Sequence, residues 1–408
     1  MNTHAPDLFD LPPSMEVSDF LGGIRRFQDF GTETRVIEEE GLTYFVNEFW
    51  TAKQRQANRL HEISYRACFK PQLPAFFIDR LTVPGDTVHD PFMGRGTTPL
   101  QASLMHRRPA GSDVNPLSAM LLRPRLAPPA LGEVRQRLDA VSWRDEDDRH
   151  PELLAFYSPR TLAHLLSLRD YLLEREATGT FDAVDDWLRM VALNRLTGHS
   201  SGFFSVYTLP PNQACSVESQ RKINEKRQQI PPDRDVAAII LKKSGSLLSQ
   251  SPPAFRGDAL IVTAPAHRTS FLPDGSVDLV VTSPPFLDVV QYAKDNWLRC
   301  WFAGIDTDAV PIALHRKVED WEAFVRNALA EMSRTVRSGG TVAFEVGEVR
   351  NGSVLLERHV AAAAARLPFD VLGVLVNEQD FTKTSNCWGV SNGTSGTNSN
   401  RVVLLRRL

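Results

Sequence analysis

Residues 87–105 read TVHDPFMGRGTTPLQASLM, and this stretch decides the fold of the 408-residue chain. Its start, Thr87 to His89, is short and β-prone, and two glycines then interrupt it. Leu100 and Leu104 follow at a spacing that places them on one face of a helix. A strand, a glycine loop and a helix in this order predict the first unit of an α/β fold.

The loop between this strand and helix is suited to bind a ligand. Gly94 and Gly96 allow the backbone to approach a ligand closely, and the N-terminus of the following helix offers free N–H groups. Asp90, at the end of the strand, can hold an ammonium group. Taken alone, the loop is also compatible with a tight structural turn.

A second carboxylate, Asp113, lies 17 residues beyond Gly96, at the end of a short β-prone segment, PAGSDV. A carboxylate at the next strand end can accept hydrogen bonds from both hydroxyls of a ribose. A solvated aspartate at a strand end would give the same pattern. The two features together favour a cofactor that contains a nucleoside, and because no GxGxxG sequence is present, a nicotinamide cofactor fits less well.

The third motif is Ser283–Phe286, SPPF, which follows the buried-type strand VDLVVT. Proline fixes φ and lacks an N–H, so this tetrapeptide is stiff and presents its carbonyl acceptors in set directions. A hydroxyl and a carbonyl can bind the two hydrogens of an aromatic amine and favour the pyramidal nitrogen that attacks a methyl group. Phe286 offers a face on which a base can stack. By itself, SPPF is also an ordinary turn.

Strands and helices alternate up to about residue 121 and again after about residue 256, which predicts a mostly parallel sheet with helices on both faces. Between them apolar residues recur at helical spacing, and Ser158 before Pro159 predicts a helix cap. A polar tract, Ser391 to Asn400, predicts a mobile surface loop. The predicted domains are an N-terminal arm and helical segment (1–60), a catalytic domain (61–120 with 257–408) and a mainly helical insert for target recognition (121–256).

Composition is typical of a folded protein, with 42% hydrophobic and 23% charged residues. The formal net charge is −3, so any affinity for DNA has to come from local basic patches. The four cysteines lie far apart and form no metal-ligand or redox spacing. With no signal peptide or membrane span evident, we expect a cytoplasmic protein that needs no metal and has no membrane partner.

In combination, DPFMGRGTT, GSDVNP and TSPPF resemble the amino-methyltransferase family of DNA methyltransferases, which modify cytosine N4 or adenine N6. The resemblance covers about residues 61–120 and 258–408 and includes the segment YRACFKPQLPAFF that starts at Tyr65. It implies a Rossmann-like, S-adenosylmethionine-dependent methyltransferase sheet with a terminal antiparallel hairpin. Arg95 stands where many members have Ser, but the glycines on either side are intact.

The resemblance also assigns roles to individual residues. Asp113 would bind the ribose of S-adenosylmethionine, and Asp258 would lie near its adenine. The other residues implied at the cofactor are Phe69, Asp90, Phe92, Gly94, Gly96 and Thr97. The implied catalytic residues are Ser283, Pro284, Pro285 and Phe286. Because the family usually has Asp or Asn before Pro-Pro in adenine-specific members, Ser283 favours cytosine.

Residues 202–227 mix aromatic and basic side chains and are the predicted contact with DNA. The predicted DNA-binding residues are Phe204, Tyr207, Arg221, Lys222 and Arg227. Core aromatics beside a solvated, charged helix would give the same composition.

The sequence therefore predicts a site-specific DNA methyltransferase that transfers a methyl group from S-adenosylmethionine to the N4 amine of a flipped-out cytosine. No covalent enzyme–base intermediate is expected, because the amine itself attacks. DNA is the expected partner, and a cognate restriction endonuclease acting on the same site is a further candidate. Two alternatives remain open: methylation of adenine N6, or of RNA, and a catalytically silent protein of the same fold that binds DNA or a nucleotide.

Overall fold

The computed structural model describes residues 17–51, 57–66, 68–209, 213–250, 257–287, 292–310, 315–347, 349, 353–378 and 400–408. The helices are α1 Val17–Arg25, α2 Gln72–Leu81, α3 Thr97–Leu104, α4 Pro116–Leu126, α5 Leu131–Asp139, α6 Pro159–Ala177, α7 Ala183–Leu193, α8 Val217–Arg227, α9 Val236–Leu247, α10 Tyr292–Ala303, α11 Val318–Thr335 and α12 Leu356–Ala364. The strands are β1 Arg35–Glu39, β2 Leu42–Asn47, β3 Thr87–Asp90, β4 Arg108–Asp113, β5 Leu260–Thr263, β6 Val277–Thr282, β7 Val336–Val346, β8 Phe369–Asn377 and β9 Asn400–Arg407. Within these ranges, no helix combines the length and the hydropathy that a membrane crossing requires.

These strands form one sheet in the order β1-β2-β8-β9-β7-β6-β3-β4-β5. The five strands from β7 to β5 run parallel to one another. Strand β9 is antiparallel to both of its neighbours, β7 and β8. The structure thus confirms the predicted Rossmann-like α/β sheet and its terminal antiparallel hairpin.

The strand order reverses between β3 and β6. From β3 the chain proceeds through β4 and β5 to one edge, whereas β6 and β7 proceed in the other direction. Ligands of open α/β sheets bind at the carboxyl ends of the strands at such a switch point. Asp90 ends β3 and Ser283 follows β6, so two of the predicted motifs meet at this place.

The N-terminal segment differs from the prediction. Residues 35–47, predicted to be part of an arm and helical segment, form the hairpin β1–β2, and β2 extends the sheet by pairing in parallel with β8. Glu40 and Gly41 have φ of 48° and 78°, as in the tight turns that suit hairpins. Every residue of β1 is exposed, so the alternation of buried and exposed residues that marks a strand is absent. Residues 1–16, at the start of the predicted arm, lie outside the described residues.

Helices α5 to α9 lie between β4 and β5 in the chain, and they pack on α4 and α10. The cap predicted at Ser158 is confirmed, since its side chain accepts a hydrogen bond from the backbone N–H of Thr161 and Pro159 starts α6. Trp187 of α7, Leu122 of α4 and Phe302 of α10 belong to one buried cluster. Helix α4 continues past the predicted boundary at residue 121, and residues 251–256 and 391–399 lie outside the described parts of the chain.

Strand β8 provides a test of how the N-terminal hairpin is attached. Gly373 has φ of 137° at a bulge, and a Cβ there would lie 2.7 Å from the backbone oxygen of Thr43. We expect Gly373→Ala to lower the free energy of unfolding by more than about 1 kcal/mol, as measured by urea denaturation. Gly132→Ala is the control, because a Cβ at this position in α5 meets no described atom within 4 Å and should stabilise the helix by about 0.5–1 kcal/mol. Equal stability of the two variants would contradict this account of the β2–β8 junction.

Candidate active site

A cavity of about 360 Å³ opens at the carboxyl ends of the parallel strands. The predicted residues that line it are Phe69, Asp90, Phe92, Gly94, Thr97, Asp113, Ser283 and Pro285. The cavity is also lined by Tyr65, Cys68, Pro91, Met93, Val114, Asn115, Pro265, Ala266, His267, His315 and Phe324. The structure therefore brings the glycine loop, the second carboxylate and the SPPF serine to one place.

Asp90 is the buried acid of this cavity, with only 1% of its surface exposed. Its Oδ1 accepts hydrogen bonds from Thr282 Oγ1 at 2.5 Å and from the backbone N–H of Phe92 at 3.0 Å. Burial raises the pKa of Asp90 to about 7, although these hydrogen bonds oppose the shift. A cation bound beside this carboxyl would lower the pKa again, so the site favours a positively charged group.

Asp113 joins the glycine loop to the end of β4. Its Oδ2 accepts from the backbone N–H of Gly94 at 2.9 Å, and its Oδ1 accepts from that of Asn115 at 2.9 Å. Burial also raises the pKa of this carboxyl. Each oxygen keeps a further lone pair, so Asp113 can still accept hydrogen bonds from two hydroxyls of a ligand.

The two loop glycines have different roles. Gly94 has φ of 49° and lines the cavity, as predicted for close approach of the backbone. Gly96 has φ of 77° but is not among the lining residues, and a Cβ there would lie 2.7 Å from the side chain of Leu122. Gly96 is thus needed for the left-handed turn and for packing of the loop against α4.

Arg95, the departure from the family pattern, is buried and fastens the loop to the segment that precedes α2. Its guanidinium donates to the carbonyls of Ile63 at 2.8 Å and Phe69 at 3.2 Å, and to Thr97 Oγ1 at 3.1 Å. Arg125 of α4 in turn donates to the carbonyl of Arg95. These bonds hold Phe69 in the cavity wall.

Asp258 does not reach the cavity. It precedes β5, and β5 runs parallel to β4, so Asp258 lies at the amino end of the sheet, away from the other predicted residues. The residues after β5 line the cavity instead: Pro265, Ala266 and His267. Ligands of parallel sheets bind at the carboxyl ends of the strands, so the sequence could have predicted that the loop after β5, and not Asp258 before it, lines the cavity.

The SPPF tetrapeptide contributes Ser283 and Pro285 to the cavity wall. The indole N–H of Trp321 donates to the carbonyl of Pro285 at 2.8 Å and holds the tetrapeptide in place. Neither Pro284 nor Phe286 is among the lining residues. The Phe286 ring packs on Gly347, where an added Cβ would lie 2.6 Å from it.

A second aromatic surface lines the cavity, and two of its three rings, His315 and Phe324, were not predicted from the sequence. The ring centroids of Phe92 and Phe324 are 5.4 Å apart, and those of His315 and Phe324 are 4.9 Å apart. All three residues line the cavity. This row of rings offers the planar apolar wall that the sequence had placed at Phe286.

The predicted DNA-binding residues divide into one that is buried and four that are accessible. Phe204 is fully buried in the core of the insert and cannot reach a base. Tyr207 is 43% exposed, and the guanidinium of Arg227 lies 3.8 Å from its ring centroid. Arg221 and Lys222 are exposed on α8.

Helix α8 is oriented by two amides on its inner face. Gln220 donates to the carbonyl of Tyr207 at 3.0 Å, and Asn224 donates to the carbonyl of Ala155 at 2.7 Å. This docking turns Arg221 and Arg227 toward solvent. Nζ of Lys222 lies 2.6 Å from Oε1 of Glu218, so the positive charge of Lys222 is partly compensated.

The region before α8 is tied to the cavity wall that carries Phe69. Arg66 donates to Gln213 at 3.1 Å and to Asp295 of α10 at 2.9 Å. The indole of Trp297 donates to the carbonyl of Cys215 at 3.2 Å. Helix α10 thus connects the insert with the segment that carries Phe69. Among the described residues no group of His, Cys, Asp and Glu is arranged to hold a metal ion.

Comparison with known proteins gives a family match over part of the chain. Residues 27–119 match the sequence model of the N6/N4 methyltransferases, described as DNA methylase. A type II methyltransferase, M.MjaII of Methanocaldococcus jannaschii, is 33% identical over 76 residues, which is 18% of this chain and 14% of that protein. The chain thus matches about one seventh of the length of this curated relative. The predicted resemblance to the amino-methyltransferase family is confirmed.

Solved structures show more distant likeness. A candidate DNA modification methylase from Thermus thermophilus, complexed with S-adenosylmethionine, is 22% identical and covers 35% of this chain and 52% of its own, with a TM-score of 0.23. TrmN from the same organism is 13% identical and covers 86% of this chain and 52% of its own, with a TM-score of 0.32. At these TM-scores the structural likeness carries no argument about function.

The pKa of Asp90 leads to a prediction about cofactor binding. An ionised Asp90 attracts a cation, so the affinity for S-adenosylmethionine should fall by about an order of magnitude between pH 7 and pH 5.5, as the carboxyl takes up a proton. Calorimetry in buffers of different ionisation enthalpy should also show release of a proton on binding at pH 7. Asp90→Asn should bind weakly and lose this part of the pH dependence. A wild-type affinity that is constant over this range would show that Asp90 does not face the cation.

Proposed function

Residues 27–119 resemble the amino-methyltransferase family, and from this resemblance we propose that the chain methylates the N4 amine of cytosine in DNA. S-Adenosylmethionine, the cofactor of this family, supplies the methyl group when bound. The observation that carries the proposal is the convergence of Asp90, Asp113 and Ser283 on one cavity at the switch point of the sheet.

The residues of the cavity fit this cofactor. Asp90 is suited to its amino group, because this buried carboxyl lines the cavity and its described donors, Thr282 and the backbone N–H of Phe92, are neutral. Asp113 is suited to the ribose, because both oxygens lie at the end of β4 beside the glycine loop. Pro265 and Ala266, after β5, provide an apolar surface for the adenine.

Ser283 is proposed to bind the amine that accepts the methyl group. Its hydroxyl oxygen can accept one amine hydrogen. The carbonyl of Pro285, which lines the cavity and keeps a second lone pair beside the bond from Trp321, is proposed to accept the second hydrogen. Acceptors at both hydrogens favour a pyramidal nitrogen whose lone pair is free to attack. The duplex hides this amine, so the base has to be flipped into the cavity, where Phe324 and Phe92 offer a stacking wall.

The insert is proposed to hold the DNA. Helix α8 carries four basic and two acidic side chains, and Gln220 and Asn224 dock it so that Arg221 and Arg227 face solvent. Basic side chains on an outward face bind phosphates, whatever the net charge of the whole protein. Tyr207, stacked under Arg227, adds an exposed ring to this surface.

The product of the reaction tests the assignment of the base. Ser283→Ala should bind cofactor and DNA normally but lower kcat by about 10²–10³, because one hydrogen bond of the transition state is lost. Ser276→Ala, at the amino end of β6, is the matched control and should keep full activity. DNA treated with the wild type is digested to nucleosides and analysed by mass spectrometry, and N4-methylcytosine is expected.

Other products would change the proposal in defined ways. N6-methyladenine alone would overturn the cytosine assignment and leave methylation of an amine in place. 5-Methylcytosine would overturn both, since methylation at carbon needs a covalent nucleophile. Binding of S-adenosylmethionine and DNA without any transfer would favour the silent binding protein. Long-read mapping of modified positions would identify the recognition sequence.

The DNA surface can be tested through the salt dependence of binding. Arg221→Gln with Arg227→Gln should weaken DNA binding and lower the slope of log K against log salt by up to about 2, because each lost phosphate contact removes about 0.9 from the slope. The control is the double variant Arg108→Gln with Arg366→Gln. It makes the same change of charge at exposed residues near the amino ends of β4 and β8, away from α8 in the chain. If both double variants change the slope equally, α8 does not contact the DNA backbone. Cofactor affinity should be the same in all of them.

A further inference from the structure

Arg195, which follows α7, is a partly buried cation whose guanidinium has no acceptor in the described part of the protein. Its Nε is shielded from solvent and has no hydrogen-bond partner, and no ion pair of the described residues involves it. The carbonyl of Leu193, at the end of α7, accepts instead from Arg299 at 3.4 Å. Removing a cation from water without giving it an anion is costly, so this side chain is suited to bind an anion from outside the chain.

An aromatic ring holds this guanidinium in a fixed orientation. The guanidinium carbon lies 4.2 Å from the ring centroid of Phe203, a residue that is 7% exposed. Gly198 makes room for the ring, because a Cβ there would lie 2.3 Å from it. An arginine that stacks on a ring keeps its N–H donors in one plane, with their edges free. Arg195 is thus preorganised to donate to two oxygens of one phosphate group.

Two further cations and one carboxylate act on the surroundings of Arg195. Nζ of Lys243, in α9, lies 2.8 Å from Oε2 of Glu62, and only 12% of the lysine side chain is exposed. The charges of Arg59 and Arg195 both act on this lysine, and Glu62 is the carboxylate whose charge acts on Arg195. Burial lowers the pKa of Arg195 to about 10 and also lowers the pKa of Lys243. Positive charge is therefore in excess here, and an added anion would balance it.

This cluster is continuous with the proposed DNA surface on α8. The backbone N–H of Phe204 donates to the carbonyl of Arg195 at 2.9 Å, and Gly198 pairs with Tyr207 in a β-bridge. The Tyr207 ring lies under the guanidinium of Arg227 of α8. Three residues separate Arg195 from Gly198, so at most about 11 Å of chain lies between Arg195 and the bridge to Tyr207. One DNA strand can therefore contact both places.

The other side of the cluster leads to the cavity. Glu62 comes three residues before Tyr65, which lines the cavity. Arg299 fastens the two segments together, because it donates to the carbonyl of Ser64 at 2.7 Å as well as to that of Leu193. A strand that lies on α8 and delivers a base to the cavity would therefore pass the cluster.

We propose that Arg195, together with Lys243, binds a phosphate group of the DNA strand next to the target nucleotide. The inference rests on the proposed function. The ligand is a phosphodiester, whose two free oxygens match the two donors on one edge of the guanidinium. A phosphate carries its charge whatever the neighbouring base is, so this site holds the strand and leaves the choice of base to the cavity.

The first test removes the charge and keeps a planar polar group. Arg195→Gln should weaken DNA binding about ten-fold at 0.1 M salt and lower the slope of log K against log salt by about 0.9, whereas Arg195→Lys should keep most of the slope. Arg189→Gln is the matched control, because Arg189 also lies over a ring, at 4.4 Å from the centroid of Phe181. Its terminal nitrogens are already paired with Glu176 and Asp186, at 3.1 and 2.8 Å, so this variant should bind DNA as the wild type does.

Thermal unfolding separates binding of DNA from packing of the protein. Arg195→Gln breaks no described ion pair, so without DNA its Tm should match that of the wild type. Arg189→Gln should have a lower Tm, because two ion pairs are lost. If Arg195→Gln lowers the Tm and leaves the salt slope unchanged, Arg195 serves only to pack on Phe203 and the inference is overturned.

The phosphate itself is located with duplexes in which one phosphodiester at a time is replaced by a neutral methylphosphonate. Near the mapped target base, one replacement should weaken binding by the wild type about ten-fold and leave binding by Arg195→Gln unchanged, as measured by fluorescence anisotropy. If every replacement weakens the two proteins equally, the inference is wrong.

Two other results would be equally decisive. Inorganic phosphate is the probe for a free anion. If it raises the Tm of the wild type but not of Arg195→Gln, while both proteins show the same salt slope with DNA, the site takes a small anion and the assignment to DNA is overturned. If DNA binding depends on Arg195 but the wild type transfers no methyl group, the proposed function fails and the phosphate site stands.

Discussion

The hydrogen bond from Thr282 to Asp90 joins the two strands on which the site depends. The two residues are 192 positions apart in the chain, yet they end neighbouring strands, and their side chains meet at 2.5 Å inside the protein. A second bond, from Thr98 to the carbonyl of Val281 at 3.0 Å, ties the helix after the glycine loop to the same strand. The glycine loop and the SPPF motif are therefore held by one piece of buried structure. The helical insert enters the chain between β4 and β5, so it leaves this junction intact.

Buried arginines and buried carboxyls surround the cavity, and the two kinds of group are stabilised in different ways. Arg95 and Arg125 are buried and donate to backbone carbonyls, which spreads their charge over several acceptors. Asp90, Asp113 and Glu345 accept hydrogen bonds from neutral donors, and burial raises their pKa values. Carboxyls in this state are suited to bind a cation or to take up a proton, which are the two demands of methyl transfer from a sulfonium to an amine. The electrostatics of the fold thus agree with the chemistry proposed for it.

Helix α10 joins the insert to the segment that precedes α2. Asp295 pairs with Arg66 beside the cofactor segment, and Trp297 holds the chain just before α8. A displacement of α8 would therefore be transmitted to the wall that contains Phe69. This arrangement gives a physical route by which the proposed DNA surface on α8 and the proposed cofactor site beside Asp90 would influence each other.

The sequence by itself determined the parallel sheet, the glycine loop of residues 87–105 and the meeting of its motifs at the strand ends, because these follow from local periodicity and from the geometry of parallel strands. Only the tertiary structure decided which side chains face the cavity. Phe204 is buried, Asp258 lies at the opposite end of its strand, and the Phe286 ring turns to Gly347. Glu345 sits in an apolar strand with no local signal, and becomes the partner of the SPPF serine through strand pairing alone. The register between distant strands and the rotation of each side chain depend on contacts made across the fold, and short-range sequence patterns do not encode them.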